Sequence, residues 1–166
     1  MAVGSKMTPR IYVDTSVVGG CFDKEFDEDS RRLFRFAAER RITVLISEVV
    51  LDELAGAPEG VQAILPSLPP DSVEVVALTP EMLALRDAYL AERIVAPRGM
   101  TDATHVAAAT VARASAIVSW NFRHIVRLDR IRLYNEVNRR RGYDPLVIVT
   151  PLEVTREGDS QEREDV

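Results

Sequence analysis

The sequence predicts an α/β domain of three layers, a mostly parallel central sheet flanked by helices, and three observations carry that expectation. Short runs rich in β-branched residues alternate along the chain with segments of helical period, the pattern of repeated strand and helix units. The first run, Ile11-Tyr12-Val13, is apolar without alternation and ends on a lone carboxylate, Asp14, as a strand buried on both faces does. A length of 166 residues with 46% hydrophobic side chains suffices for one domain with a real core, and no repeat or linker divides it. The expected boundaries are a flexible leader over residues 1–9, a folded domain over residues 10–152 and an acidic, disordered tail over residues 153–166.

Each element has a local reason. After the first strand, Thr15 and Ser16 offer hydroxyls to the carboxylate or to the following turn, and Gly19-Gly20 breaks the chain. Asp29 or Ser30 caps a helix through Arg41 that carries Leu33, Phe34, Phe36 and Ala37 on one face. Ile42 to Ile46 forms a second strand. Ser47 then caps a helix from Glu48 to Ala55, with Val50, Leu51 and Leu54 as its inward stripe and Gly56 and Pro58 as its stop. A short helix over Gly60 to Leu65 and a proline-rich turn precede a strand from Ser72 to Ala77. Thr79-Pro80-Glu81 starts a helix reaching about Val95, because threonine caps and proline suits the first helical position. Pro97-Arg98-Gly99 breaks it, and Thr101 caps the next helix, Asp102 to Ala114, whose small apolar residues suit close packing on a sheet. Ala116 to Val118 is a strand ending in the turn Ser119-Trp120-Asn121, and Val147 to Val149 is the last.

Composition narrows the function classes. No apolar stretch has membrane length and no secretion signal opens the chain, so the cytoplasm is the expected location and no membrane partner is expected. A single cysteine, Cys21, excludes an internal disulfide and a cysteine-based zinc site. The formal charge is -5, but the tail from Glu153 onward carries a net four of those negative charges, which leaves the folded part nearly neutral. Arginines gather around Arg31 to Arg41, Arg123 to Arg132 and Arg139 to Arg141, either as phosphate-holding groups or as solvated helix faces.

Four side chains share a placement that points to chemistry. Asp14, Asp102 and Asn121 each fall where a strand ends or a helix begins, on one rim of the sheet, and Glu53 reaches the same rim from the helix after the second strand. Asp14 reads as the first acid of a metal site or as a cap of its own turn. Carboxylates within about 4 Å repel by roughly 1 to 4 kcal/mol per pair in partly hydrated surroundings, so such a cluster wants a cation. Oxygen-only ligands select Mg2+ or Mn2+ over zinc, and the natural chemistry is metal-assisted phosphodiester hydrolysis.

Taken in order, the segments Ile11-Tyr12-Val13-Asp14-Thr15-Ser16, Ile46 to Leu54, Thr101 to Ala109 and Ile117 to Phe122 resemble a PIN-domain protein of the VapC-like toxin ribonuclease family. The similarity runs from about Arg10 to Leu152. The resemblance implies a PIN-like three-layer fold, a magnesium- or manganese-dependent endoribonuclease, an RNA substrate, frequent homodimers and, for toxins of type II toxin-antitoxin pairs, a cognate antitoxin. By position, Asp14 resembles the first acid of the family, Glu53 the second and Asp102 the third, the three that bind metal. Asn121 stands where many members have a fourth acid, and Ser16 resembles the hydroxyl that supports the first.

Neighbouring residues invite competing readings. Asp52 is an alternative to Glu53, but the two point about 100° apart on a helix and the Leu51–Leu54 stripe favours Glu53. His105 lines the cleft or bonds against the sheet, the second being expected; His124 touches phosphate or lies exposed in a loop, again the second. Trp120 stacks on a base or fills the core, and Arg123, Arg127 and Arg130 are the candidates to hold RNA backbone. The rival function is a PIN-like module that binds RNA or protein without cutting it, which the missing fourth acid favours. A phosphotransfer domain using Asp14 as acceptor is disfavoured, because no glycine-rich phosphate loop is present.

Overall fold

The computed structural model of the chain describes residues 8–156. Its strands are β1 (Arg10–Val13), β2 (Thr43–Ser47), β3 (Val73–Val76), β4 (Ala116–Val118) and β5 (Ile148–Val149). They form a five-stranded sheet of order β3-β2-β1-β4-β5 in which every neighbouring pair is parallel. The helices are α1 (Thr15–Gly20), α2 (Asp27–Ala38), α3 (Glu48–Ala55), α4 (Glu59–Gln62), α5 (Pro80–Ala91), α6 (Met100–Val111) and α7 (Leu128–Arg140). The three-layer α/β architecture expected from the sequence is the one observed, with no antiparallel pair among the described strands.

Alternation along β1 divides the layers. Tyr12 points to the side where it meets His105 of α6, while Ile11 faces the other side and shares a cavity with Phe36 of α2. Five small residues of α6, Ala103, Val106, Ala107, Ala108 and Ala109, are wholly buried, which lets that helix approach its neighbours closely. The chain builds outward from β1 through β2 to β3, then returns to add β4 and β5 on the other side. The strand order therefore reverses beside β1, and open parallel sheets bind ligands at the carboxyl ends of the strands flanking such a reversal.

Several boundaries differ from expectation, each for a physical reason. The chain is helical directly after Asp14, so Gly19-Gly20 ends α1 rather than an irregular turn. A Cβ at Gly20 would stand 2.6 Å from the Ser30 hydroxyl and 2.9 Å from the Trp120 indole nitrogen, so the glycine makes room for that contact. Helix α2 starts at Asp27 rather than at Asp29 or Ser30, with Asp27, Glu28 and Asp29 complementing the dipole of its first turn. Ser30 lies buried inside it and accepts the Trp120 indole N–H at 2.8 Å. The helix stops short of Arg41, and the chain reverses through Arg40 at φ 59°.

Ser47 holds the N-cap position of α3 as expected, but its hydroxyl bonds Tyr12 instead of the helix. The expected helix over Gly60 to Leu65 is shorter and earlier, and a 3₁₀ turn, Leu65–Ser67, follows it. Thr79 caps α5 as expected, accepting from the Met82 N–H at 3.2 Å. Another 3₁₀ turn, Pro97–Gly99, carries the chain into α6 at Met100, which puts Thr101 inside the first turn rather than at the cap.

Helix α7 has no counterpart among the expected elements. Residues 151–156 are helical with Thr155 buried, so order continues past the expected tail boundary at Glu153. Residues 1–7 of the expected leader and 157–166 of the expected tail lie outside the described residues. Among the described residues no helix is long and apolar enough to cross a membrane.

Candidate active site

Asp14 sits where the strand order reverses. The register pairs Val13 with Val118, which sets Asp14 at the end of β1 beside Ser119 at the end of β4. The Ser119 hydroxyl donates to Asp14 Oδ2 and the Ser16 hydroxyl to Oδ1, both at 2.5 Å. The Val17 N–H also reaches Oδ1 at 3.3 Å, so Asp14 caps α1 as well. Only 3% of the residue is exposed. Burial pushes its carboxyl above the ordinary aspartate value, against the opposing pull of His105 and the two hydroxyls. The fold thus holds an acid at this rim against its own desolvation cost.

Glu53 approaches from α3. Its Oε1 accepts from the Thr15 hydroxyl at 2.9 Å and pairs with His105 Nε2 at 2.8 Å. Burial acts to raise this carboxyl, but the hydrogen bond and charge of His105, with Thr15, outweigh it and hold Glu53 below the ordinary value. The other ring nitrogen of His105, Nδ1, meets the Tyr12 hydroxyl at 2.8 Å, and that hydroxyl meets Ser47 Oγ at 2.7 Å. His105 therefore bonds against the sheet, as expected, and touches the acid at the same time.

Asp102, in the first turn of α6, lies one helical turn before His105. Its Oδ2 pairs with His124 Nδ1 at 2.8 Å, which corrects the expectation of an exposed loop histidine. Asn121 also departs from its expected placement. Its side-chain oxygen accepts the backbone N–H groups of Arg123 at 3.1 Å and His124 at 2.9 Å, so it frames its own loop. Its backbone N–H donates to Ser119 Oγ at 2.9 Å, joining this loop to the Asp14 cluster.

The structure thus sets Asp14, Glu53 and Asp102 along one rim: Glu53 meets Thr15 beside Asp14, and Asp102 meets His124 of the loop that Asn121 joins to Ser119. Among the described residues no lysine or arginine forms an ion pair with any of the three. In donor chemistry this set fits a hard divalent cation: three carboxylates, with one oxygen each of Glu53 and Asp102 held by an imidazole. It is not gathered around one point, since no group of three His, Cys, Asp or Glu among the described residues is arranged to hold an ion. Asp52 is exposed, with no side-chain hydrogen bond to the acids.

The surrounding side chains sort differently from expectation. Trp120 is half-buried, stacked on Phe26 at 4.3 Å between ring centres, with the exposed Phe122 beside both. Its backbone N–H donates to Ser16 Oγ at 2.9 Å. Arg123 is exposed and Arg127 pairs with Asp129 at 2.8 Å. Arg130, expected to face RNA, instead turns its guanidinium under the Ile94 carbonyl, with Nε buried and without a partner. Sequence reasoning gave Tyr12, Ser47 and Ser119 no part in the site. Their partners lie 35 to 105 residues away along the chain, so only the strand register identifies them.

No family model matches this chain, and no curated protein sequence does. Among solved structures, the chain is similar to a chain of VapBC2 from Rickettsia felis, solved bound to a DNA fragment from their promoter. The two share 17% identity over 84% of this chain and 96% of that one, with a TM-score of 0.52. At that identity the likeness is one of fold.

Proposed function

We propose that the chain is a Mg2+- or Mn2+-dependent endoribonuclease, a cytoplasmic VapC-like toxin whose functional unit spans residues 10–152. The observation that supports it best is the buried carboxylate of Asp14 at the reversal of strand order, with Glu53 and Asp102 on the same rim held by imidazoles and, among the described residues, no lysine or arginine paired to any of the three. In this reading Asp14, Glu53 and Asp102 hold the ion. A bound divalent cation supplies neutralisation of the charge that builds on the phosphate oxygens as the phosphodiester is cut. The chain's own residues prepare for it. Ser16 and Ser119 fix both oxygens of Asp14, Thr15 and His105 fix one oxygen of Glu53, and His124 fixes one of Asp102. In this reading Arg123, which is exposed, meets RNA backbone. A cognate antitoxin covering the rim and a homodimer belong to the same reading.

A second reading, a PIN-like module that binds RNA or protein without cutting, is favoured by two observations. No three acidic or histidine side chains converge among the described residues, and the Asn121 oxygen is spent on its own loop. Cleavage of a mixed-sequence single-stranded RNA separates the readings. The wild type is expected to cut in Mg2+ or Mn2+, to stop on chelation and to resume when the ion is restored, while Asp14→Asn stays folded and silent. Cleavage by Asp14→Asn at the wild-type rate would remove the nuclease reading. Silence of a wild type that also binds neither ion in calorimetry would establish the module.

A further inference from the structure

The chain has two histidines, and both are hydrogen-bonded to acids of the rim. We propose that they are positioning residues, His105 for Glu53 and His124 for Asp102, each holding one carboxylate oxygen so that the other stays available to a cation. The assignment rests on the metal-dependent reading of the rim.

His105 is the better anchored of the two. It is 2% exposed, and it belongs to a buried chain running from Ser47 through Tyr12 to Glu53. A carboxylate can only accept, so Nε2 carries the proton directed at Glu53. In the neutral ring Nδ1 then accepts from the Tyr12 hydroxyl, and the Tyr12 oxygen accepts from Ser47. The chain is therefore directional, fixed at its far end by β1 and β2, and it delivers a donor to Glu53 Oε1. Among the described residues no donor meets Oε2 of Glu53, both of its bonds going to Oε1. The Glu53 side chain is 38% exposed, and without this anchor its carboxylate would sample several rotamers.

His124 reaches the same end by another route. Its backbone N–H is held by the Asn121 side chain at 2.9 Å and its backbone carbonyl by the Tyr134 hydroxyl at 2.9 Å. The backbone that carries the ring is thus fixed at both polar groups, and Nδ1, facing a carboxylate that can only accept, is the donor to Asp102 Oδ2. Asn121 thereby acts through His124, as part of the frame that orients Asp102. Imidazole and carboxylate pairs of this kind orient metal ligands in general, and their loss typically weakens metal affinity by about 10- to 100-fold.

With only two imidazoles present, a long-range 1H–15N spectrum of the full chain resolves both. At a pH where both rings are neutral, the proposal expects opposite tautomers, proton on Nε2 for His105 and on Nδ1 for His124. Glu53→Gln should move the His105 signals and leave those of His124, and Asp102→Asn should do the reverse. In Mg2+ calorimetry His105→Leu should bind about 10- to 100-fold more weakly. His105→Gln, which keeps an N–H donor near Glu53, should recover most of that loss. Imidazole signals indifferent to both acid variants would overturn the proposal, as would wild-type Mg2+ affinity in a folded His105→Leu. If His105→Leu does not fold, the acid variants, which remove no buried core side chain, still decide it. Absence of Mg2+ binding by the wild type would sink the metal-dependent reading and the assignment with it, whereas a wild type that binds Mg2+ with imidazole signals indifferent to the acids would sink the assignment alone.

Discussion

Two polar regions of this molecule are built on opposite principles. Between α5, α6 and α7, the Tyr89 hydroxyl, Thr110 and Asn138 form a buried network, with the Tyr89 hydroxyl donating to Asn138 Oδ1. Asn138 Nδ2 extends it to Asn135, which clasps the backbone of Leu146 at 3.0 and 2.7 Å. Every member is neutral and the network closes on itself. At the rim the groups are acids, and among the described residues no donor meets the second oxygen of Glu53 or of Asp102. A closed neutral network strengthens and specifies a fold, whereas an open charged one weakens it unless something outside the chain completes it. That difference marks the rim as the working part.

The contrast can be broken most severely at Asp14. Asp14→Asn is expected to lower RNA cleavage by about a hundred- to a thousandfold, the rate equivalent of a few kcal/mol of charge stabilisation, in a single-turnover assay with saturating Mg2+. At the closed network the pattern should invert. Asn138→Leu leaves the buried Tyr89 and Thr110 hydroxyls short of partners, so it should cost about 1–3 kcal/mol in urea unfolding with Mg2+ affinity unchanged. A loss of Mg2+ affinity there would show that the two regions are not independent.

Stability against pH sharpens the comparison further. Burial raises the Asp14 pKa in the folded protein above its unfolded value, so folding favours the protonated acid. Its contribution is fully present below the unfolded carboxyl value and is lost as pH rises through the folded one. Asp14→Asn should therefore melt at or above the wild type at neutral pH without Mg2+, and the advantage should vanish on acidification. Glu53 runs the other way. Burial acts to raise it, but His105 and Thr15 win and hold it low, so its contribution is present above the unfolded value and lost as pH falls through the folded one. Glu53→Gln should flatten the acid limb of the melting profile, and by less, because this carboxylate is partly solvated.

What was legible in the sequence was local. The apolar run of β1, the inward residues Val50 and Leu54 of α3 and the Thr79-Pro80 start of α5 announce themselves within a few residues, but Leu51, expected in the same inward stripe, is exposed at the sheet's edge and α5 ends at Ala91, short of the expected Val95. Helix α7 did not announce itself, because its inward side, with Tyr134, Val137 and Asn138 buried, mixes an amide into the stripe and sits among arginines. The acids were legible as residues at element junctions. Their partners were not: His105 lies 52 residues from Glu53 and His124 lies 22 from Asp102, and both pairings depend on how strands and helices align in space. Asn121 looked like a weakened ligand because the chain order hides the Arg123 and His124 N–H groups its oxygen accepts.

A crystal of the full chain equilibrated with Mn2+ and measured at the manganese edge tests the central claim most directly. The account predicts an anomalous peak at the carboxyl ends of β1 and β4, about 2 Å from an oxygen of Asp14 and from an oxygen of Glu53 or Asp102. Manganese bound elsewhere, with each acid still held only by its hydroxyl or imidazole partner, would contradict it.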